Sequence, residues 1–287
     1  PPRPAEIIEK QLMDAGFEDM QPVITSRNTY IAPFVNAEVP QYLVVEDRFP
    51  NGRPALDKAG VYLCDRKTVN DTERMKVTTC LNPLHTAMSV YGCLLGYTSI
   101  AAEMKDAELV KLVKTIGYKE GLPVVTDPGI ISPKAFIDEV VEQRLPNPFI
   151  PDTPQRIATD TSQKVGIRFG ETIKSYIAEG RDLNSLVSIP LAIAGWLRYL
   201  LAIDDNGNAF EVSADPLKDE LQAKLSGIEF GKPETVTDQL DGILSNASIF
   251  GTDLTKTVLA DKIKAYFKAE IAGPGAVRKT LHEAVNG

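Results

Sequence analysis

The feature that most limits the fold of this chain is a succession of helical patterns from Asp71 onward. Apolar residues recur there at helical spacing, and Pro or Gly separates one pattern from the next. The predicted helices lie at 71–82, 84–104, 106–116, 133–144, 154–178, 182–203, 215–226, 234–246 and 252–271. Strands do not alternate with these helices, so this part of the sequence predicts a mainly α fold.

The segment Leu183–Ile203 is apolar on almost every side and contains Trp196. A helix without a polar face belongs inside a protein, so we interpret this segment as the central buried helix.

Two later segments have a more polar character. Asp204–Phe210 begins like a calcium loop but lacks the later glutamate, which indicates a polar turn, and Ala272–Ala276 is expected to separate the last long helix from a polar tail.

The first 70 residues differ from the rest. Ala5–Gly16 has helical periodicity and ends at a glycine in the C-cap position, whereas Tyr42–Val45 and Val61–Cys64 favour strands joined by a turn. We therefore predict a small α/β segment over 1–70, followed by a helical domain over 71–287.

Composition narrows the class of partner. The formal net charge of −8 and the lack of a basic run argue against nucleic acid, and the apolar run 86–97 is too short to cross a membrane. We expect a small-molecule substrate and a cytoplasmic location.

The cysteines Cys64, Cys80 and Cys93 are odd in number and lack CxxC spacing, which favours reduced thiols. His85 and His282 are the two histidines of the chain, so a zinc site is poorly supplied. We predict no metal.

Candidate catalytic residues lie in Glu73–Tyr97, which places Lys76, Asn82 and His85 among apolar residues. A lysine among apolar groups loses hydration of its charged form, so it can act as a general base. Asn82 and His85 then offer hydrogen bonds to an oxygen whose charge changes. The alternative is an amphipathic helix with an exposed lysine, a capping asparagine and a buried histidine that has no chemical role.

This segment resembles the catalytic signature of the mannitol dehydrogenase family, the polyol-specific long-chain dehydrogenases and reductases, which include mannitol 2-dehydrogenase and fructuronate reductase types. In that signature a lysine precedes an asparagine, and a histidine follows three residues later. Tyr42–Asp65 and Leu145–Phe169 are similar to neighbouring segments of the family. The resemblance covers roughly the first 170 residues, whereas the remainder matches in helical character alone.

The resemblance implies metal-independent oxidation of a secondary alcohol on an open-chain polyol or sugar acid, with hydride transfer to NAD or NADP. Lys76 is then the general acid/base, Asn82 stabilises the developing alkoxide, and His85 orients substrate hydroxyls. Glu73, one helical turn before Lys76, is a candidate proton relay. Its alternative role is that of an exposed helix carboxylate.

In the matching family segment, residues at the positions of Arg156 and Lys164 contact the far end of the substrate. Eight residues apart on one helix, both would project to nearly the same side, with Asp160 between them. Ordinary salt bridges with Asp160 are the alternative.

The sequence contains no GxGxxG turn of the kind that binds a dinucleotide. The resemblance explains this if the chain is the C-terminal part of a longer enzyme, whose N-terminal Rossmann domain is absent here and holds most of the NAD(P). Residues 1–70 are then the end of that domain or a linker from it, and 71–287 form the substrate and catalytic domain. Such a part should be inactive alone. A non-catalytic helical binding or assembly module is the alternative. Among substrates, fructuronate/mannonate is preferred slightly over fructose/mannitol.

One spacing departs from the family, in which the asparagine follows the lysine by five residues, whereas Lys76 and Asn82 are six apart. One added residue rotates a regular helix by about 100°, which would carry Asn82 away from the face of Lys76. Pro83 disfavours helical geometry at Asn82. The sequence therefore predicts a π-type bulge or a kink between Thr78 and Pro83, which keeps the three side chains in one pocket.

Overall fold

A computed structural model of the chain describes residues 6–18, 20, 23–24, 30–31 and 42–287. It divides the chain into two compact units, Pro1–Leu63 and Cys64–Gly287. The boundary that we expect after residue 70 stays a prediction.

The described residues of the first unit contain helix α1 and two short strand pairs, the last strand of which ends one residue beyond Leu63. Helix α1 spans Glu6–Asp14, as the sequence predicts. Strands β1 (Val23–Ile24) and β2 (Tyr30–Ile31), which the sequence analysis does not anticipate, pair antiparallel. The predicted strand pair is present as β3 (Val44–Glu46) and β4 (Tyr62–Cys64), which form a two-stranded sheet.

The second unit is mainly helical, which confirms the predicted fold class. Its α-helices are α2 (Arg66–Met75), α3 (Asn82–Leu94), α4 (Ile100–Glu103), α5 (Ala107–Lys114), α6 (Pro133–Glu139), α7 (Pro154–Ile157), α8 (Glu171–Ala178), α9 (Ser188–Tyr199), α10 (Lys218–Lys224), α11 (Asp241–Leu244), α12 (Ala247–Phe250), α13 (Leu259–Glu270) and α14 (Ala276–Asn286).

Short segments with other helical geometry adjoin many of these helices. The π-helical segments are Lys76–Cys80, Thr115–Gly121, Val140–Arg144 and Gly166–Gly170. The 3₁₀ segments are Leu56–Ala59, Leu122–Val124, Thr161–Gln163, Leu183–Ser185, Pro233–Thr235 and Leu254–Lys256.

Helix α9 is the central buried helix that the sequence predicts, and every one of its residues is buried. It packs against α3 and α13. A Cβ atom at Gly195 would lie 2.9 Å from Cζ of Tyr91, so a glycine is needed for α9 to approach α3 this closely. The carboxylate of Glu120 accepts hydrogen bonds from the backbone amides of 187, 188 and 189 and thereby caps the start of α9.

Several predicted helices differ from those observed. The helix expected at 71–82 begins at Arg66, because the Asp65 side chain accepts a hydrogen bond from the Thr68 amide at 2.7 Å and caps it. The single helix expected at 84–104 is divided into α3 and α4 near Gly96, whose φ of 78° is left-handed.

The polar tail expected after Ala276 is wrong, because residues 276–286 form α14 and bury Val277 and Leu281 completely. Asp205 accepts hydrogen bonds from the backbone amides of Val277 and Arg278 and so caps this helix from a distant turn. The polar turn predicted at 204–210 is confirmed, since Asp204 Oδ1 accepts hydrogen bonds from the amides of residues 206 and 208.

Candidate active site

The predicted distortion between Lys76 and Asn82 is present as the π-helical segment Lys76–Cys80. The Leu81 amide donates to the Lys76 carbonyl at 3.1 Å, which is the five-residue spacing of a π-turn. Helix α3 then begins at Asn82, with Pro83 in its first turn. The added residue is therefore accommodated within one widened turn, which starts two residues earlier than predicted.

A polar cavity of about 320 Å³ lies beside the start of α3. The predicted residues that line it are Asn82, His85, Arg156 and Lys164. Leu81, Ile157 and the unpredicted polar residues Arg144, Asp152 and Arg168 complete its lining. The structure thus brings four of the predicted site residues together.

His85 is buried, and its Nε2 atom lies 3.6 Å from Oδ2 of Asp152. Burial, together with the positive charges of Arg144, Arg168 and Arg156, lowers the pKa of His85 to about 3. The imidazole is therefore neutral near pH 7, with one nitrogen that donates and one that accepts. A proton on Nε2 would point to Asp152 and leave Nδ1 as the acceptor.

Asp152 connects two of the predicted site residues, although no sequence motif indicates it. It is 8% exposed, and its Oδ1 atom accepts a hydrogen bond from Nη2 of Arg156. Its backbone carbonyl accepts from the Ile100 amide at 3.0 Å. This long-range anchor has no local sequence signal, although Asp152 lies within the segment Leu145–Phe169 that resembles the family.

Arg156 and Lys164 both line the cavity, but not through the continuous helix expected at 154–178. Helix α7 ends at Ile157, and Asp160 adopts a left-handed φ of 54°, which breaks the helix between the two cations. Asp160 is not a lining residue of the cavity, and its amide donates to the Ala214 carbonyl at 2.8 Å. The expected proximity is thus correct, and the expected geometry is wrong.

Lys164 and Arg168 add positive charge to the same cavity. Lys164 Nζ donates to the Thr159 carbonyl, and burial followed by the charge of Arg168 lowers its pKa. Arg168 Nη1 donates to Thr86 Oγ1 at 2.5 Å, and that hydroxyl donates to the carbonyl of Asn82 at 2.9 Å. Arg168 is therefore linked to the helix turn that carries Asn82 and His85.

Lys76 is not among the residues that line this cavity. Its Nζ atom lies 2.9 Å from Oε2 of Glu73, and 29% of its side chain is exposed, so the expected enclosure among apolar groups is incomplete. Glu73 is 63% exposed and therefore connects the lysine with solvent. The contact between the two predicted residues is present, whereas a common pocket for Lys76, Asn82 and His85 stays a prediction.

The described ranges supply no evident cradle for a dinucleotide. They contain no glycine-rich turn between a strand and a helix, which is the usual binding element for the pyrophosphate. Within the same ranges, no group of three or more His, Cys, Asp or Glu side chains is placed to hold a metal ion. None of the helices described is long and apolar enough to cross a membrane.

The helical part of the chain matches a known protein family. Residues 68–270 match the family model of the mannitol dehydrogenase C-terminal domain. The chain belongs to the mannitol dehydrogenase family, as the resemblance of its motifs indicates.

The relatives are oxidoreductases of polyols and sugar acids. The chain is 57% identical to a D-mannonate oxidoreductase of Thermotoga maritima, over 99% of this chain and 53% of the relative. It is 32% identical to a mannitol 2-dehydrogenase of Pyricularia oryzae, over 88% of this chain and 46% of the relative. The chain thus spans about half the length of these curated relatives.

Solved structures share the fold. The ternary complex of Pseudomonas fluorescens mannitol 2-dehydrogenase with NAD and D-mannitol matches with a TM-score of 0.68 and 27% identity, over 85% of this chain and 46% of the other. A substrate-free D-sorbitol dehydrogenase matches with the same TM-score of 0.68 and 24% identity, over 99% of this chain and 52% of the other, which supports the fold alone.

Proposed function

We propose that this chain is the C-terminal catalytic and substrate-binding part of an NAD(P)-dependent oxidoreductase. The enzyme interconverts a secondary alcohol and a ketone on an open-chain sugar acid or polyol, and the pair D-mannonate and D-fructuronate is the preferred candidate. The 57% identity to a D-mannonate oxidoreductase supports this choice of substrate.

The observation that carries the proposal is the shared cavity of Asn82, His85, Arg156 and Lys164. A lining that combines hydrogen-bonding groups with cations suits a substrate that has several hydroxyl groups and a polar or anionic terminus. The cations exceed the single lining carboxylate, Asp152, so the cavity favours ligands with negative charge.

In this proposal Lys76 takes the hydroxyl proton during oxidation and returns it to the carbonyl oxygen during reduction. The ion pair with Glu73 at 2.9 Å supports a proton path, because Glu73 is exposed and can exchange protons with water. Binding of the substrate and of the rest of the enzyme would complete the enclosure of Lys76, which is partly exposed in this chain.

Asn82 and His85 orient the substrate. The amide of Asn82 donates to the oxygen that develops negative charge, and this interaction strengthens as the charge forms. A neutral His85, with the proton on Nε2 directed to Asp152, offers Nδ1 as an acceptor for a substrate hydroxyl. The preference for the neutral form follows from burial beside three arginines.

The redox cofactor in this proposal is NAD or NADP, held mainly by an N-terminal nucleotide-binding domain outside the described residues. These residues do not fit the cofactor by themselves, since they lack the phosphate-binding turn. A cytoplasmic location is part of the proposal, and the thiols of Cys80 and Cys93, which form no disulfide among the described residues, support it.

The test is an activity screen of the whole protein that contains this chain, with NADH and NADPH against D-fructuronate, D-tagaturonate and D-fructose. We expect oxidation of the nicotinamide with D-fructuronate, and no activity from residues 1–287 alone. A whole protein that reduces none of the three ketoses would refute the proposal, and activity of the isolated chain would refute the assignment of the cofactor to another domain.

A further inference from the structure

The cavity contains more positive charge than the sequence motifs indicate. Its cationic lining residues are Arg144, Arg156, Lys164 and Arg168, and Asp152 is its acidic lining residue. These cations are not equivalent, because their partners differ. The partners decide which cation can still bind the anionic end of a substrate.

Arg156 already has a buried counter-charge. Its guanidinium donates to Oδ1 of Asp152, which is 8% exposed and has its other oxygen near His85. To bind a substrate carboxylate as its main partner, Arg156 would have to share or release this contact. Because it is paired with Asp152, Arg156 mainly positions the substrate and contacts its hydroxyl groups. It is not the main source of binding energy for an anion.

Arg168 has no such counter-charge among the residues that the structure describes. Its Nη1 donates a hydrogen bond to the neutral Thr86 hydroxyl at 2.5 Å. Burial lowers the pKa of its guanidinium to about 10 because desolvation disfavours the charged form. A desolvated cation without a carboxylate partner is unfavourable, and a bound anion would relieve this cost.

The geometry of the guanidinium also favours Arg168 over Lys164. A guanidinium presents two parallel N–H groups to a carboxylate, whereas an ammonium acts as a point charge. The hydrogen bond to Thr86 fixes Nη1 beside the first turn of α3, next to His85 in sequence. The remaining N–H groups of Arg168 are available to the same cavity that Asn82 and His85 line.

We propose that Arg168 binds the carboxylate of a sugar-acid substrate and thereby selects sugar acids over neutral polyols. This inference rests on the proposed function and adds to it the residue that determines specificity. Thr86 acts through Arg168 by holding its guanidinium in place, so Thr86 is a positioning residue.

The experiment compares Arg168→Met and Arg168→Lys in the whole enzyme, with D-mannonate and D-mannitol as matched substrates. Because a charge-assisted hydrogen bond is lost, Arg168→Met should lower kcat/KM for D-mannonate about 10- to 100-fold and change kcat/KM for D-mannitol less than about threefold. Most of the loss should appear in KM, and Arg168→Lys should restore part of it. Retained D-mannitol turnover shows that the variant is folded.

Two controls sharpen the comparison. Lys256→Met removes an equal charge from a side chain that is 82% exposed and does not line the cavity, and it should change neither substrate's kcat/KM. Arg156→Met should affect both substrates to a similar degree. Binding of D-mannonate, measured by calorimetry with the cofactor present, provides a readout that does not depend on turnover.

Equal losses of kcat/KM on D-mannonate and D-mannitol in Arg168→Met would overturn the inference, as would a selective loss in Arg156→Met with none in Arg168→Met. If Arg168→Met does not fold, calorimetry compares the affinity of Arg168→Lys for D-mannonate with that of the wild type. An unchanged affinity overturns the inference, and a weakened affinity supports it. A wild-type enzyme that uses neither substrate would instead refute the proposed function, so the two failures are distinguishable.

Discussion

Oδ2 of Asp152 lies 3.6 Å from Nε2 of His85, while Oδ1 of the same carboxylate accepts a hydrogen bond from Arg156. One buried carboxylate thus connects the imidazole and the guanidinium that the sequence assigns to the substrate. Because Asp152 is 8% exposed and anchored through its backbone to Ile100, it can hold both side chains in fixed positions.

Replacement of this carboxylate should therefore impair catalysis more than substrate binding. Asp152→Asn keeps the shape of the side chain but removes its charge, so we expect kcat to fall about 10- to 100-fold in the whole enzyme. Nitrogen-15 NMR of His85 should show loss of the Nε2–H tautomer preference. The control is Asp261→Asn, on the exposed face of α13, and an unchanged kcat in Asp152→Asn would contradict this role.

The general acid/base role predicts a large loss for Lys76→Ala. We expect kcat to fall at least about 100-fold while cofactor affinity changes little, because a proton-transfer group is removed and the cofactor site is elsewhere. Added primary amines should restore part of the rate. Lys67→Ala, at a lysine 81% exposed in the preceding helix, is the matched control. Near wild-type kcat in Lys76→Ala would remove the lysine from the mechanism.

The contact between Glu73 and Lys76 predicts a smaller effect. Glu73→Gln can keep a hydrogen bond to Nζ but cannot carry a proton, so we expect kcat to fall up to about tenfold with a larger solvent isotope effect. Glu283→Gln, at another exposed helix carboxylate, should change neither quantity. If Glu73→Gln has the wild-type rate and isotope effect, Glu73 is an ordinary surface residue.

The sequence predicts those parts of the fold and site that depend on local pattern. Helix α9 follows from its continuous apolar character, and the π-helical segment at Lys76–Cys80 follows from the residue spacing and from Pro83. Asp152 and Arg168 are not predicted, because their contacts with His85 and Thr86 join segments that are distant in sequence. Neither periodicity nor a short motif records such a contact.

The same distinction explains the errors in the helix predictions. Val277 and Leu281 have helical spacing, but the glycines and proline before them suggest a break and a polar tail. Capping by Asp205 from a distant turn and burial of both apolar side chains stabilise α14 instead. The break at Asp160 likewise depends on a hydrogen bond to the distant Ala214 carbonyl.

A buried carboxyl group outside the cavity provides a test of stability. Glu103 is fully buried, and both of its carboxyl oxygens lack a hydrogen-bond partner among the described residues. Burial, followed by the charge of Asp106, raises its pKa from 4.5 to about 9. Between these values the folded state holds a proton that the unfolded state has lost. The free energy of unfolding therefore falls as pH rises through this range.

Glu103→Gln should remove this contribution. The difference in unfolding free energy, variant minus wild type, should be about 2 kcal/mol larger at pH 8.5 than at pH 7. The reason is that the wild type alone loses stability in proportion to the pH interval. Urea denaturation at both pH values measures this difference. Burial also raises the pKa of Glu270 to about 8. This residue is present in both proteins, so its contribution to the pH dependence cancels in the comparison. An identical pH dependence in the two proteins would contradict a neutral Glu103.

The most direct test of the account is a crystal structure of the whole enzyme with NAD(P) and D-mannonate. We predict that the sugar acid occupies the cavity beside α3, with its carboxylate on Arg168 and its reacting hydroxyl within hydrogen-bond distance of Lys76 and Asn82. His85 Nδ1 should accept a hydrogen bond from a neighbouring hydroxyl. A sugar acid bound outside this cavity, or bound with its reacting carbon remote from Lys76, would contradict the assignment of these residues to one active site.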